Sequence, residues 1–195
     1  MKEKLKKRLV IFASGAGSNA QRIIEYFKEN RKAEIGLIVS NNPNAGVLTI
    51  AEKEKIPGLL IEKKQFRETG YLAQIKKTSP DLIILAGFLW KIPQVLISAF
   101  PDKIINIHPA LLPAYGGKGM YGNAVHTAVV SNREKESGIT IHLVDEKYDH
   151  GQIIFQEKCL LSENETPESL AAKIHQLEHT FFPKTIEKLL DETNS

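Results

Sequence analysis

Short apolar runs, each closed by glycine or polar residues, recur at 9–13, 35–40, 59–61, 82–86 and 104–107. Runs this short and unbroken predict strands buried on both faces. Between them the apolar positions move to helical spacing, at 19–29, 47–55, 71–78 and 94–100, the last opened by Pro93 at a helix-start position. Strand alternating with helix predicts a parallel sheet covered on both sides. The pattern changes after residue 110. A Pro- and Gly-rich loop over 111–122 leads to a short helix near 121–131, and 138–144 then alternates, with Ile139, Ile141 and Leu143 on one face and a neighbouring strand over 152–161. Thr166, Pro167 and Glu168 open a last helix whose apolar positions recur to Leu190, with Pro183 expected to kink or break it. The expected class is α/β: a mostly parallel sheet, helices on both faces and an antiparallel C-terminal extension.

Composition narrows this only a little. The 195 residues suit one domain over 1–195, long enough to bury most of its apolar surface, and 42% hydrophobic with 25% charged is ordinary for a globular chain. The net charge of +3 is owed to Lys2, Lys4, Lys6, Lys7 and Arg8. Residues 1–7 therefore read as a flexible basic N-terminus on an otherwise near-neutral domain, and no basic stripe suggests a nucleic-acid partner. Cys159 is the only cysteine, so no intrachain disulfide forms and a reducing compartment suits the chain. The apolar run after the basic start is too short for a signal peptide or a membrane span, so the expected location is the cytoplasm, with no membrane partner.

Chemistry is expected at the carboxyl ends of the strands, where a Rossmann-like sheet opens its ligand crevice. The first strand runs into Ser14-Gly15-Ala16-Gly17-Ser18-Asn19 and straight on into a helix. Glycines let backbone approach a ligand, and the free amides of a helix start favour an anion. A dinucleotide fingerprint would need a third glycine where Ala20 stands, so the loop fits either one phosphate with part of a sugar or a tight turn with a polar cap. The fifth strand ends Asn106-Ile107-His108-Pro109, and residues two apart in a strand share a face, so an amide and an imidazole aim at one spot. The acidic loop 144–151 carries Asp149 just before Gly151. It is either a turn former or, folded back over the fifth strand, a partner that raises the pKa of His108. His175-Gln176-Leu177-Glu178-His179 has zinc-hydrolase spacing, but no third ligand cluster accompanies it.

Taken together, 14–19, Leu85-Ala86-Gly87-Phe88, Asn106-Ile107-His108-Pro109 with Leu111-Leu112-Pro113, 138–149 with Gly151, and Glu178-His179 resemble the glycinamide ribonucleotide formyltransferase family in order and over nearly the whole chain. The resemblance implies transfer of a formyl group from 10-formyltetrahydrofolate to the amine of glycinamide ribonucleotide in purine synthesis, with no metal. It implies Asn106, His108 and Asp149 as the catalytic trio, with protonated His108 donating to the developing oxyanion. By the same resemblance Gly17, Ser18 and Asn19 hold the phosphate and Glu178 the ribose side. Leu89, Trp90, Lys91 and Ile92, with Asn106 and Arg67, belong to the folate site. Trp90-Lys91 departs from the family's Arg-led pair, and 115–122 is richer in glycine, with Lys118 within it. Formyltetrahydrofolate deformylase and methionyl-tRNA formyltransferase are similar around the trio, but each carries an extra domain for which this length leaves no room.

Overall fold

Each central strand is apolar on both sides because each side meets a different helical layer. The structure, a computed structural model, describes residues 6–68 and 70–192. Seven strands form one sheet: β1 (Lys7–Phe12), β2 (Ala33–Ser40), β3 (Gly58–Leu60), β4 (Leu82–Leu85), β5 (Ile104–His108), β6 (Glu136–Leu143) and β7 (Ile153–Leu160), in the order β3-β2-β1-β4-β5-β6-β7. The pairs from β3 through β5 are parallel; β6 and β7 add antiparallel strands. Leu9 and Ile11 of β1, Leu82 and Ile84 of β4, and Ile105 and Ile107 of β5 enter one core beneath α1 (Ser18–Asn30), α2 (Gly46–Lys53), α6 (Asn123–Ser131) and α7 (Pro167–Glu192). Val10, Phe12, Ile83, Leu85 and Ile104 enter the other core, with Phe66, Ile75 and Leu96 from α3 (Lys63–Arg67), α4 (Leu72–Lys77) and α5 (Gln94–Ala99). Ile11 and Phe12 are wholly buried, and each such side chain contributes about 1.5–3 kcal/mol.

Three expectations change. Helix α3 was not expected, because in Lys63-Lys64-Gln65-Phe66-Arg67 a single buried Phe66 leaves no periodicity to read. Lys7 is not part of a flexible N-terminus: it begins β1 and reaches Asp81 at 3.2 Å, while residues 1–5 of that expected terminus lie outside the described residues. Pro183 does not break α7, which runs from Pro167 to Glu192 with Pro183 buried inside it. The His179 carbonyl, which Pro183 has no N–H to satisfy, instead accepts from Arg22 Nε of α1 at 3.4 Å.

The strand order turns at β1, whose neighbours β2 and β4 lead away in opposite directions. In an open parallel sheet the crevice lies at that switch, above the carboxyl ends. No helix among the described residues is long and apolar enough to cross a membrane.

Candidate active site

A cleft of about 830 Å³ opens there, lined by the loop after β1, the segment after β4, the end of β5, the 117–122 loop, the loop after β6 and one side of α7. Of the residues expected at the site, Gly17, Ser18, Asn19, Leu89, Trp90, Lys91, Ile92, Asn106, His108, Asp149 and Glu178 all line it. Arg67 does not; it lies exposed at the end of α3.

At the β1 end, Gly17 caps α1 with φ 83°, a backbone conformation that glycine adopts without penalty. A Cβ there would also meet Val47 Cβ at 2.9 Å, so the loop reaches its shape only with glycine. Ser14 ties this loop to the β4 end: its N–H donates to the Gly87 carbonyl at 3.0 Å, and its Oγ accepts from Leu89 N–H at 2.9 Å. Beyond Leu89, the backbone N–H groups of Trp90, Lys91 and Ile92 find no partner among the described residues. An unpaired run of main-chain donors on a cleft wall is what a flat polar ligand would use. Phe12, Phe66, Phe88 and Trp90 pack edge to face or tilted beneath it, with ring centroids 5.2–6.3 Å apart, and Lys63 Nζ lies 5.9 Å from the Trp90 ring.

Asn19 Nδ2 donates to Glu178 Oε2 at 2.8 Å across 159 residues of sequence, joining the loop after β1 to α7. His175 Nδ1 reaches the same oxygen at 3.1 Å, which raises the His175 pKa. Glu178 is buried, and its Oε1 has no partner among the described residues, so one acceptor remains for a hydroxyl. Within the stretch from His175 to His179, Glu178 is hydrogen-bonded to Asn19 and His175, and no group of three or more metal-ligating side chains occurs among the described residues.

The loop after β6 does fold back over β5. A Cβ on Gly151 would lie 1.9 Å from the Leu143 carbonyl, so glycine lets the returning chain press against the strand it left. Val144 N–H donates to the Ile104 carbonyl at 2.9 Å. Asp149, held at φ 53°, comes within 3.6 Å of His108 Nδ1 and 3.7 Å of His142 Nε2, and its Oδ2 accepts from Gly117 N–H at 2.9 Å. His142 joins this group, and β6 carries the signal for it in its alternation. With Ile139, Ile141 and Leu143 on one face of β6, His142 must take the other, and antiparallel register sets it opposite Asn106. Its Nδ1 lies 2.7 Å from the Leu143 carbonyl and so carries the proton; Nε2 then accepts from Asn106 Nδ2 at 3.0 Å.

The electrostatics correct one expectation. Burial pushes the His108 pKa down and outweighs Asp149, which pushes it up, so the net shift is downward. His108 therefore rests neutral. Its Nε2 lies 2.8 Å from the Tyr115 carbonyl, which fixes the N–H on Nε2 and leaves Nδ1 as a bare acceptor toward Asp149. Burial acts to raise the Asp149 pKa, but the nearby His142 and His108 rings and the Gly117 N–H prevail and hold it below the usual carboxylate value. The arrangement is an ionised carboxylate beside an imidazole that can take up a proton, with an amide alongside.

Residues 7–186 match the family described as formyl transferase. The chain is 39% identical to the phosphoribosylglycinamide formyltransferase of Bacillus subtilis (strain 168), over 96% of its own length and 97% of the relative's. To the chloroplastic phosphoribosylglycinamide formyltransferase of Arabidopsis thaliana it is 38% identical, over 97% of the chain and 68% of that relative. Among solved structures, phosphoribosylglycinamide formyltransferase from Bacillus halodurans superposes with a TM-score of 0.87 at 35% identity, covering 96% of this chain and 97% of that one.

Proposed function

The chain belongs to the formyl transferase family, and from that premise we propose that it transfers the formyl group of 10-formyltetrahydrofolate to the amine of glycinamide ribonucleotide, a step of de novo purine synthesis. The observation that carries this reading is one cleft shared by a phosphate-type loop, an open carboxylate on Glu178 and the Asn106, His108 and Asp149 group. The phosphate would lie at Gly17, Ser18 and Asn19, where the amides of α1 begin. Glu178 Oε1 would accept from a ribose hydroxyl. The free N–H groups at Trp90, Lys91 and Ile92 would bind the pterin edge of the donor, with Leu89 beside them.

The donor supplies an electrophilic formyl carbon. As the amine nitrogen bonds to it, the carbonyl electron pair moves to oxygen, and the second N–H of the Asn106 amide donates to that oxygen. His108 Nδ1 takes the proton the amine releases, and Asp149 stabilises the imidazolium so formed. His108 then returns that proton to the departing folate nitrogen as the carbonyl reforms and the old carbon–nitrogen bond breaks. Charge on His108 is thus present only as the reaction proceeds, where it accelerates the chemistry instead of tightening ground-state binding. No covalent enzyme intermediate and no metal take part in this scheme.

Mixing the protein with 10-formyltetrahydrofolate and glycinamide ribonucleotide should consume the formyl folate only when the ribonucleotide is present. Consumption with water alone would point to hydrolysis, and consumption with initiator tRNA to a different acceptor; either outcome defeats the proposal. A second expectation concerns binding. Glu178→Ala and Asn19→Ala should each weaken ribonucleotide affinity about tenfold or more by calorimetry, because each removes a polar group from a part-buried pair on the cleft wall. Unchanged affinity in both would take them out of the acceptor site.

A further inference from the structure

His126 lies in the first buried turns of α6 and is 5% exposed, yet it lines the cleft. Its Nδ1 is sealed from solvent without a hydrogen-bond partner, and Nε2 has no partner among the described residues either. Buried polar atoms are nearly always satisfied, so a ring left open in this way on a ligand cleft suggests that the missing partner belongs to the ligand. Only Nδ1 is wholly sealed, so the edge that meets the cleft is Nε2. With the proton on Nε2 the ring shows a donor to the cleft and seals only a lone pair inside, the cheaper of the two neutral forms.

Two neighbours bracket the position. Burial lowers the pKa of the ring, which lies near enough to the Glu178 carboxylate and to the His175 and His108 imidazoles for each to act on it electrostatically, so it meets a ligand as a neutral donor. In the acceptor proposed above, the sugar is held at Glu178 and the reacting amine at His108. The group between sugar and amine is an amide. We propose that His126 Nε2–H donates to the carbonyl oxygen of that amide and so selects acceptors that carry it, an inference that rests on glycinamide ribonucleotide being the acceptor.

The test is calorimetric binding of two ligands to the full chain: glycinamide ribonucleotide, and ribose 5-phosphate, which shares the phosphate and sugar but lacks the amide. His126→Ala should weaken the first about tenfold or more and leave the second within threefold. His126→Gln, whose amide N–H reaches about as far as Nε2, should recover most of the loss. If the alanine chain does not fold, His126→Leu fills a similar volume and carries the same comparison. Equal weakening of both ligands would move His126 to the sugar and overturn the proposal, as would glycinamide ribonucleotide affinity unchanged within threefold. A wild-type chain that binds neither ligand would defeat the proposed acceptor itself, whereas wild-type binding with an indifferent variant defeats only the role of His126.

Discussion

Replacing His108 with alanine is expected to lower turnover by about a hundredfold to ten thousandfold, the usual range for losing a positioned acid–base group. Ribonucleotide affinity should stay within a few fold, because the phosphate and ribose would be held by residues of α1 and α7. The split matters more than the size. A residue that only packed the end of β5 would disturb folding and binding together, whereas a proton acceptor used after binding lowers turnover and leaves the dissociation constant alone. His108 is 3% exposed, so the variant also opens a cavity, and thermal unfolding should accompany the kinetics. His108→Asn provides a polar control, since it refills part of the cavity but accepts no proton; it should be as slow as the alanine chain. Turnover near the wild-type rate in either variant would remove His108 from the chemistry.

Much of this architecture was readable because the sheet obeys simple periodicities. Five unbroken apolar runs meant strands with helices on both faces, and Leu9, Ile11 and Val10, Phe12 do divide between two cores. Asn106 and His108 could be paired from strand geometry alone. Asp149 could not, since its approach depends on how 144–151 returns, and that return is set by backbone packing of Gly151 on Leu143 and by the Val144 to Ile104 hydrogen bond. The resting charge of His108 is hidden in the sequence for a related reason. A nearby carboxylate can be anticipated from sequence, but the burial that outweighs it is a property of the assembled fold. His142 and His126 do not stand out in the sequence because each sits among apolar neighbours, on a strand and a helix whose patterns read as core. Arg67, expected at the folate site by resemblance, lies on a five-residue helix that sequence periodicity did not reveal.

Asp149→Asn should also lower turnover about a hundredfold, and it should move the pH profile in a direction that identifies the cause. Asparagine keeps an oxygen for the Gly117 N–H, so the loop stays held and only the charge is lost. At 3.6 Å and an effective dielectric near 20, a carboxylate attracts an imidazolium by about 4–5 kcal/mol; two thirds of that already amounts to a hundredfold in rate. Activity requires neutral His108, so the acid limb of kcat/KM should lie below the ordinary histidine value of about 6.5, because burial lowers the pKa of His108 despite Asp149. Removing the carboxylate removes the largest effect that raises that pKa and leaves only the Tyr115 carbonyl and Glu178 to oppose burial. The acid limb of the variant should therefore shift to lower pH while the plateau falls. Stability follows the same signs: as pH drops below about 6.5 the unfolded chain takes up protons before buried His108 does, so the native state loses ground on acidification. The stabilising part of ionised Asp149 is lost later, as pH falls through its depressed folded value, and the variant should lack that second loss. An acid limb that stays fixed in Asp149→Asn, or moves upward, would mean that Asp149 does not act on His108.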